Sequence, residues 1–153
     1  MDVKELIDEY LPKINIMQLT TSINNQPWVC TVHYYNDEDY NFYWISTPER
    51  RHSQEIKQNP KVAAYVLVHE NNPTENYIIG ISMEGTVEFV GQNVDKTITD
   101  RYVKKLDKPA NLIPDIISGK NPHRFYKFKP TNIVMFNTKD FADNPRQEWK
   151  INA

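Results

Sequence analysis

The chain has one cysteine, Cys30, in 153 residues. An intramolecular disulfide is impossible, and a reducing compartment is the expectation. Glycine occurs four times. No Gly-x-Gly-x-x-Gly or Walker-type loop exists, so a Rossmann or P-loop nucleotide site is unsupported. There is no basic excess: the formal net charge is −2, which argues against a dedicated nucleic-acid binder. No apolar run approaches the ~20 residues of a membrane span, and the first residues are acidic and amphipathic rather than signal-like. A soluble, cytoplasmic protein without a nucleic-acid or membrane partner is expected. The four histidines, His33, His52, His69 and His123, have no metal-ligand spacing, and cysteine pairs are lacking. No metal site is expected.

Aromatic side chains are abundant: nine Tyr, six Phe and three Trp. They suit a β-rich core, a subunit interface or a flat ligand. The length suits a single domain, residues 1–153.

Apolar periodicity predicts a helix over residues 2–12, carried by Val3, Leu6, Ile7 and Leu11 and ended by Pro12. Strands are expected at 14–21, 28–35, 41–46, 61–69, 77–90, 124–128 and 132–136. Asn24-Asn25 suits a hairpin turn, and Gly80 and Gly85 suit bulges or close approaches in the long strand. Helices are expected at 48–58, 95–106 and 112–118, and the tail from Asn137 reads as polar apart from Phe141, Trp149 and Ile151. Hairpin-linked strands with few intervening helices predict a mainly β fold, an antiparallel barrel or sandwich with peripheral helices.

The most informative stretch is Phe42–Pro60. An aromatic strand ends in Ser46-Thr47-Pro48-Glu49, a helix-start signal with a hydroxyl cap and an early proline. Arg50, Arg51 and His52 follow at once. Free N–H groups, the positive helix end and guanidinium donors together suit a phosphate. The opposing view is a solvated helix face with Glu49 and Glu55 as counter-charges.

This block, with its closing Asn59-Pro60-Lys61-Val62-Ala63, resembles the pyridoxamine 5′-phosphate oxidase-like family. So do Asn24-Asn-Gln-Pro-Trp-Val-Cys-Thr-Val32 and Glu84-Gly-Thr-Val-Glu88. The resemblance implies an antiparallel split β-barrel that binds FMN, usually as a homodimer. It places Val29, Cys30, Thr31 and Val32 beside the isoalloxazine and ribityl groups. Ser46 and Thr47 fall at the end of the third strand. Arg50, Arg51 and His52 fall at the 5′-phosphate, with His52 standing where the family often has lysine. The true oxidase's Arg-x-His substrate motif does not occur after Phe136, where the chain reads Asn-Thr-Lys-Asp-Phe-Ala-Asp-Asn-Pro-Arg-Gln-Glu-Trp149. Turnover of pyridoxamine phosphate is therefore not expected.

Cys30 and His33 are an odd number of residues apart on a strand, so their side chains face opposite ways and a nucleophilic dyad is not expected. Trp44, Phe136 and Trp149 suit flavin contact or packing equally. No catalytic acid or base is identifiable. The resemblance makes the expected function FMN-dependent hydride transfer through flavin N5, with a small-molecule substrate or nicotinamide donor. The alternative is a noncatalytic flavin or haem carrier, sensor or stress protein. A deazaflavin would present a similar tricycle and phosphate.

Overall fold

The computed structural model describes residues 1–68 and 76–151. The expected loop at 71–74 and His69 lie outside the described residues.

Helix α1 (Val3–Tyr10) opens with a capping box. The Asp2 carboxylate accepts from the Glu5 N–H at 2.8 Å, and the Glu5 carboxylate accepts from the Asp2 N–H at 2.9 Å. Each bond satisfies a donor the first turn leaves free. Leu6, Ile7 and Tyr10 form its buried face. Leu11–Lys13 tightens into a 3-10 turn with Pro12 inside it.

Strands β1 (Ile16–Ile23) and β2 (Gln26–His33) form the expected hairpin. Asn24 and Asn25 both hold positive φ, 52° and 63°, as a type I′ turn requires. A two-residue strand β3 (Tyr35–Asn36) precedes β4 (Phe42–Ser46), then α2 (Arg51–Gln58) and β5 (Lys61–Leu67). The long β6 (Ile79–Gly91) leads to α3 (Lys96–Leu106) and α4 (Leu112–Ser118). The Asp95 side chain caps α3, and Gly119, at φ 84°, ends α4.

Two expected strands at 124–128 and 132–136 are in fact one, β7 (Arg124–Asn137). Lys129-Pro130 does not break it, because the register shifts there opposite Gly85. The bulge tolerates a residue that cannot donate to the ladder. The tail, for which no element was expected, adds a further strand: Arg146–Lys150 forms β8 along β7.

All pairings are antiparallel, in the order β2-β1-β5-β6-β7-β4-β3 with β8 beside β7. The sheet curls into a half-barrel, a split β-barrel with helices outside. Its interior holds Leu19, Phe42, Trp44, Val66, Ile81 and Phe128. A second cluster, Tyr43, Tyr102, Ile116 and Phe125, lies under α3 and α4. This explains the unbroken Phe42-Tyr43-Trp44 run: β4 is buried on both faces, so alternation vanishes. Each such side chain contributes about 1.5–3 kcal/mol by leaving water.

One outer sheet face carries exposed apolar side chains. Leu67, Gly80 and Phe136 are lateral neighbours across β5, β6 and β7. Leu67 is 51% exposed and Phe136 42%. The Tyr65 ring lies over Gly80, where a Cβ would fall 1.9 Å from its hydroxyl.

Candidate functional site

The ends of the curled sheet meet where β2 and β4 approach each other without pairing. A cavity of about 560 Å³ opens at this seam. Strand β2 supplies Trp28, Cys30, Thr31, Val32 and His33, and β4 supplies Ile45 and Ser46. The start of α2 supplies Arg50, Arg51 and His52. Tyr102, Lys108 and His123 close the other side.

The helix begins later than its cap signal suggests. Thr47–Arg50 forms a turn in which the Thr47 carbonyl accepts from the Arg50 N–H at 3.2 Å. Arg50, not Ser46 or Thr47, takes the N-cap position, without a side-chain capping bond. A proline-containing turn competes with immediate helix entry after Ser46. The consequence is electrostatic. Arg50, Arg51 and His52 occupy the cap and first two helical positions, and the first turn carries no acid. Positive side chains at the positive end of a helix oppose the dipole, and a bound anion relieves that conflict.

The three residues differ in commitment. Arg51 Nε donates to Glu55 Oε2 at 2.7 Å, and its guanidinium carbon lies 4.0 Å from the Trp28 ring centroid. Glu55 is 6% exposed and also accepts from the Thr21 hydroxyl at 2.8 Å. Those two bonds, Arg51 first, hold its carboxyl below the usual carboxylate range. Glu55 thus does act as a counter-charge, paired directly with Arg51. Arg50 has no acidic partner among the described residues. His52 is held below its usual range by burial and then by Arg50, with Glu55 opposing. Its Nε2 is buried and has no hydrogen-bond partner among the described residues.

A second basic group faces them. Lys108 Nζ sits 3.4 Å from His33 Nδ1. Burial and then Lys108 lower the pKa of His33, while burial, then Arg50, then Lys108 lower that of His123. Burial is the larger cause for both imidazoles, and the neighbouring cations add to it, so both favour the neutral form.

Of the nine residues singled out in the sequence, seven line this cavity. Val29 is 56% exposed and does not, and Thr47 serves the turn instead. Cys30 is half-buried against the core, and burial pushes its thiol up to about 11. Such a thiol is a poor nucleophile. Its strand partner is buried Leu19, whereas His33 pairs with exposed Ile16, so the two side chains belong to opposite faces. Trp44 is fully buried and stacked on Tyr126, so it borders no ligand here. Trp149 packs edge-on against Tyr40, 4.7 Å between centroids.

Sequence reading missed Trp28, Ile45, Tyr102, Lys108 and His123 as lining residues, and weighed His33 only as a partner for Cys30. Trp28 and His33 lie on the expected strand 28–35, on either side of residues 29–32, and were within reach of the same argument. Lys108 follows a helix and His123 precedes a strand, and no local pattern links either to the seam.

A family model described as pyridoxamine 5′-phosphate oxidase matches residues 3–136. Solved structures share the fold at low identity. General Stress Protein 26 from Bacillus anthracis superposes with a TM-score of 0.67 at 18% identity, covering 98% of this chain and 99% of that one. Campylobacter jejuni ChuZ gives 0.76 at 15% identity, covering 97% of this chain and 59% of its own. HutZ, the haem storage protein of Vibrio cholerae, gives 0.64 at 14% identity, covering 85% and 91%. No curated protein sequence matches significantly. With the family model spanning most of the chain and the curled antiparallel sheet beneath it, the protein belongs to the pyridoxamine 5′-phosphate oxidase-like family.

Proposed function

We propose that the seam cavity binds FMN and that the protein is an FMN-dependent oxidoreductase acting on an anionic small molecule or a nicotinamide donor. The observation that carries this reading is the start of α2, where Arg50, Arg51 and His52 meet with no acid in the first turn. A phosphate monoester answers the orphaned His52 Nε2, the unpaired Arg50 and the free N–H groups together. Ser46, Thr31, Val32 and Cys30 would border the rest of the cofactor, and the volume suits a ligand of that size.

Bound flavin supplies hydride transfer at N5; the chain holds the group, orients it and excludes water. Lys108 on the far wall supports a negatively charged reaction partner, since it adds a cation there and no carboxylate among the described residues lines the cavity. Pyridoxamine phosphate itself is not the proposed substrate, because no Arg-x-His occurs between Phe136 and Ala153, the region that corresponds to the true oxidase's substrate motif.

A homodimer belongs to this reading. The exposed Leu67 and Phe136 suit a second copy, and an open seam needs a cover to enclose a flavin ring.

A noncatalytic carrier of flavin or haem is the second reading. His33, His52 and His123 all line one cavity, and the similar HutZ is a haem storage protein. Titration of the protein with FMN and, separately, with haem separates the two. A flavin band shift with saturable binding, followed by anaerobic bleaching with a nicotinamide donor, supports the enzyme. Saturable flavin binding that no donor reduces supports a carrier. A Soret band with no flavin binding overturns the FMN assignment.

A further inference from the structure

We propose that a second cavity, behind α2, binds a flat aromatic monoanion. Its volume is about 470 Å³, and it lies between α2, the far end of β6 and β7. The Ser53, Ile56 and Lys57 side of the helix faces it, whereas Arg50, Arg51 and His52 serve the seam. The two sites therefore use different sides of one short helix.

The lining has three chemical parts. Phe89 and Tyr126 form an aromatic tray, edge-to-face at 5.4 Å between centroids. Phe89 is 60% exposed, an unusual state for a phenyl ring that already has one aromatic neighbour. Trp44 backs the tray, stacked on Tyr126 at 5.9 Å. Val87, Ile56, Pro48 and Pro60 complete apolar walls.

The second part is Ser53. It is 4% exposed, it lines the cavity, and its hydroxyl has no hydrogen-bond partner among the described residues. A buried hydroxyl left unpaired costs free energy that a ligand acceptor recovers. The third part is Lys57, the one charged residue lining the cavity, with no ion-pair partner among the described residues. Gln54 is already used, its amide donating to the Pro48 carbonyl at 2.7 Å. An aryl group on the tray, an acceptor at Ser53 and a negative charge at Lys57 define one ligand class, an aromatic carboxylate. An aliphatic or cationic ligand leaves the tray or the ammonium unmatched.

Titration calorimetry with naphthalene-2-carboxylate tests this with a readout that needs no bound flavin. Saturable one-to-one binding is expected, unaffected by prior saturation with FMN. Phe89→Ala, at an exposed position that leaves the core intact, should weaken it about tenfold, the scale of an aromatic contact with its buried area. Lys57→Gln, or the neutral naphthalene-2-carboxamide, should weaken it about fivefold, the scale of an exposed ion pair. Displacement of the probe by FMN, or equal affinity in Phe89→Ala and the parent, overturns the proposal. So does no binding by any protein form. If Phe89→Ala changes the oligomeric state and the probe does not bind, the cavity is a subunit contact and the proposal fails.

Discussion

Arg51 lies against the face of Trp28, its guanidinium carbon 4.0 Å from the ring centroid, while its Nε holds Glu55. A residue on α2 is thereby oriented by a residue on β2, across the seam. The stacking and the ion pair fix the plane of the guanidinium before any ligand arrives. Its remaining N–H groups have no acceptor among the described residues.

If that geometry holds a phosphate, Arg51→Ala should weaken FMN by about 1.5–3 kcal/mol, the scale of a hydrogen bond to a charged group. It should also lower thermal stability, because Glu55 is left buried without its cation. Arg50→Gln should weaken FMN while leaving the melting temperature unchanged. Fluorescence titration of FMN together with a melting curve checks both, and unaltered affinity in the two variants rejects the phosphate assignment.

The Glu55 carboxyl is held low by Arg51 and Thr21. A carboxylate depressed in the folded state contributes stability that is complete above its unfolded range. That contribution is lost as pH falls through the folded value. The parent should therefore lose melting temperature steeply in acid below the ordinary carboxylate range. Glu55→Gln should start less stable at neutral pH and show a flatter acid limb. Parallel limbs would show that this carboxylate does not govern the acid transition.

Gly80 and Gly85 should respond differently to the same substitution. A Cβ at Gly85 would sit 2.1 Å from the Lys129 carbonyl oxygen, a backbone atom fixed in the β6–β7 pairing. Gly85→Ala should cost about 3 kcal/mol or more, the upper end of overpacking. At Gly80 the obstacle is the far end of the Tyr65 side chain, which can swing at about 0.5–1.5 kcal/mol. Urea unfolding of the two variants should rank them in that order.

Leu67→Glu places a charge on the outer sheet face at an exposed apolar position. With a homodimer across that face, light scattering should show a shift to monomer, and FMN affinity should fall with it. The monomer's own melting should change little, since the side chain is already 51% exposed. A dimer that persists places the interface elsewhere.

Much of the fold was legible along the chain because it rests on local signals. The Asn24-Asn25 hairpin, the α1 face and the stops at Pro60 and Gly119 depend on neighbours in sequence. The errors share a different cause. Whether Lys129-Pro130 ends a strand depends on Gly85, over forty residues away, which makes room for the bulge. Whether Arg146–Lys150 is a strand depends on the free edge of β7. The start of α2 moved because a proline turn and a helix compete over the same four residues.

By itself the sequence determined that a β-rich chain carries a cluster of cations where an aromatic strand runs into a helix. It also excluded a disulfide and a glycine-rich phosphate loop. Residue types and short-range spacing suffice for such conclusions. Only the tertiary structure decided that Lys108 and His123 face that cluster, that Arg51 is already paired, and that Ser53 and Lys57 line a second cavity. Those relationships arise from the curl of the sheet, which brings β2 to β4 and sets α2 between two cavities, and curvature is summed over the whole chain rather than written in any one segment.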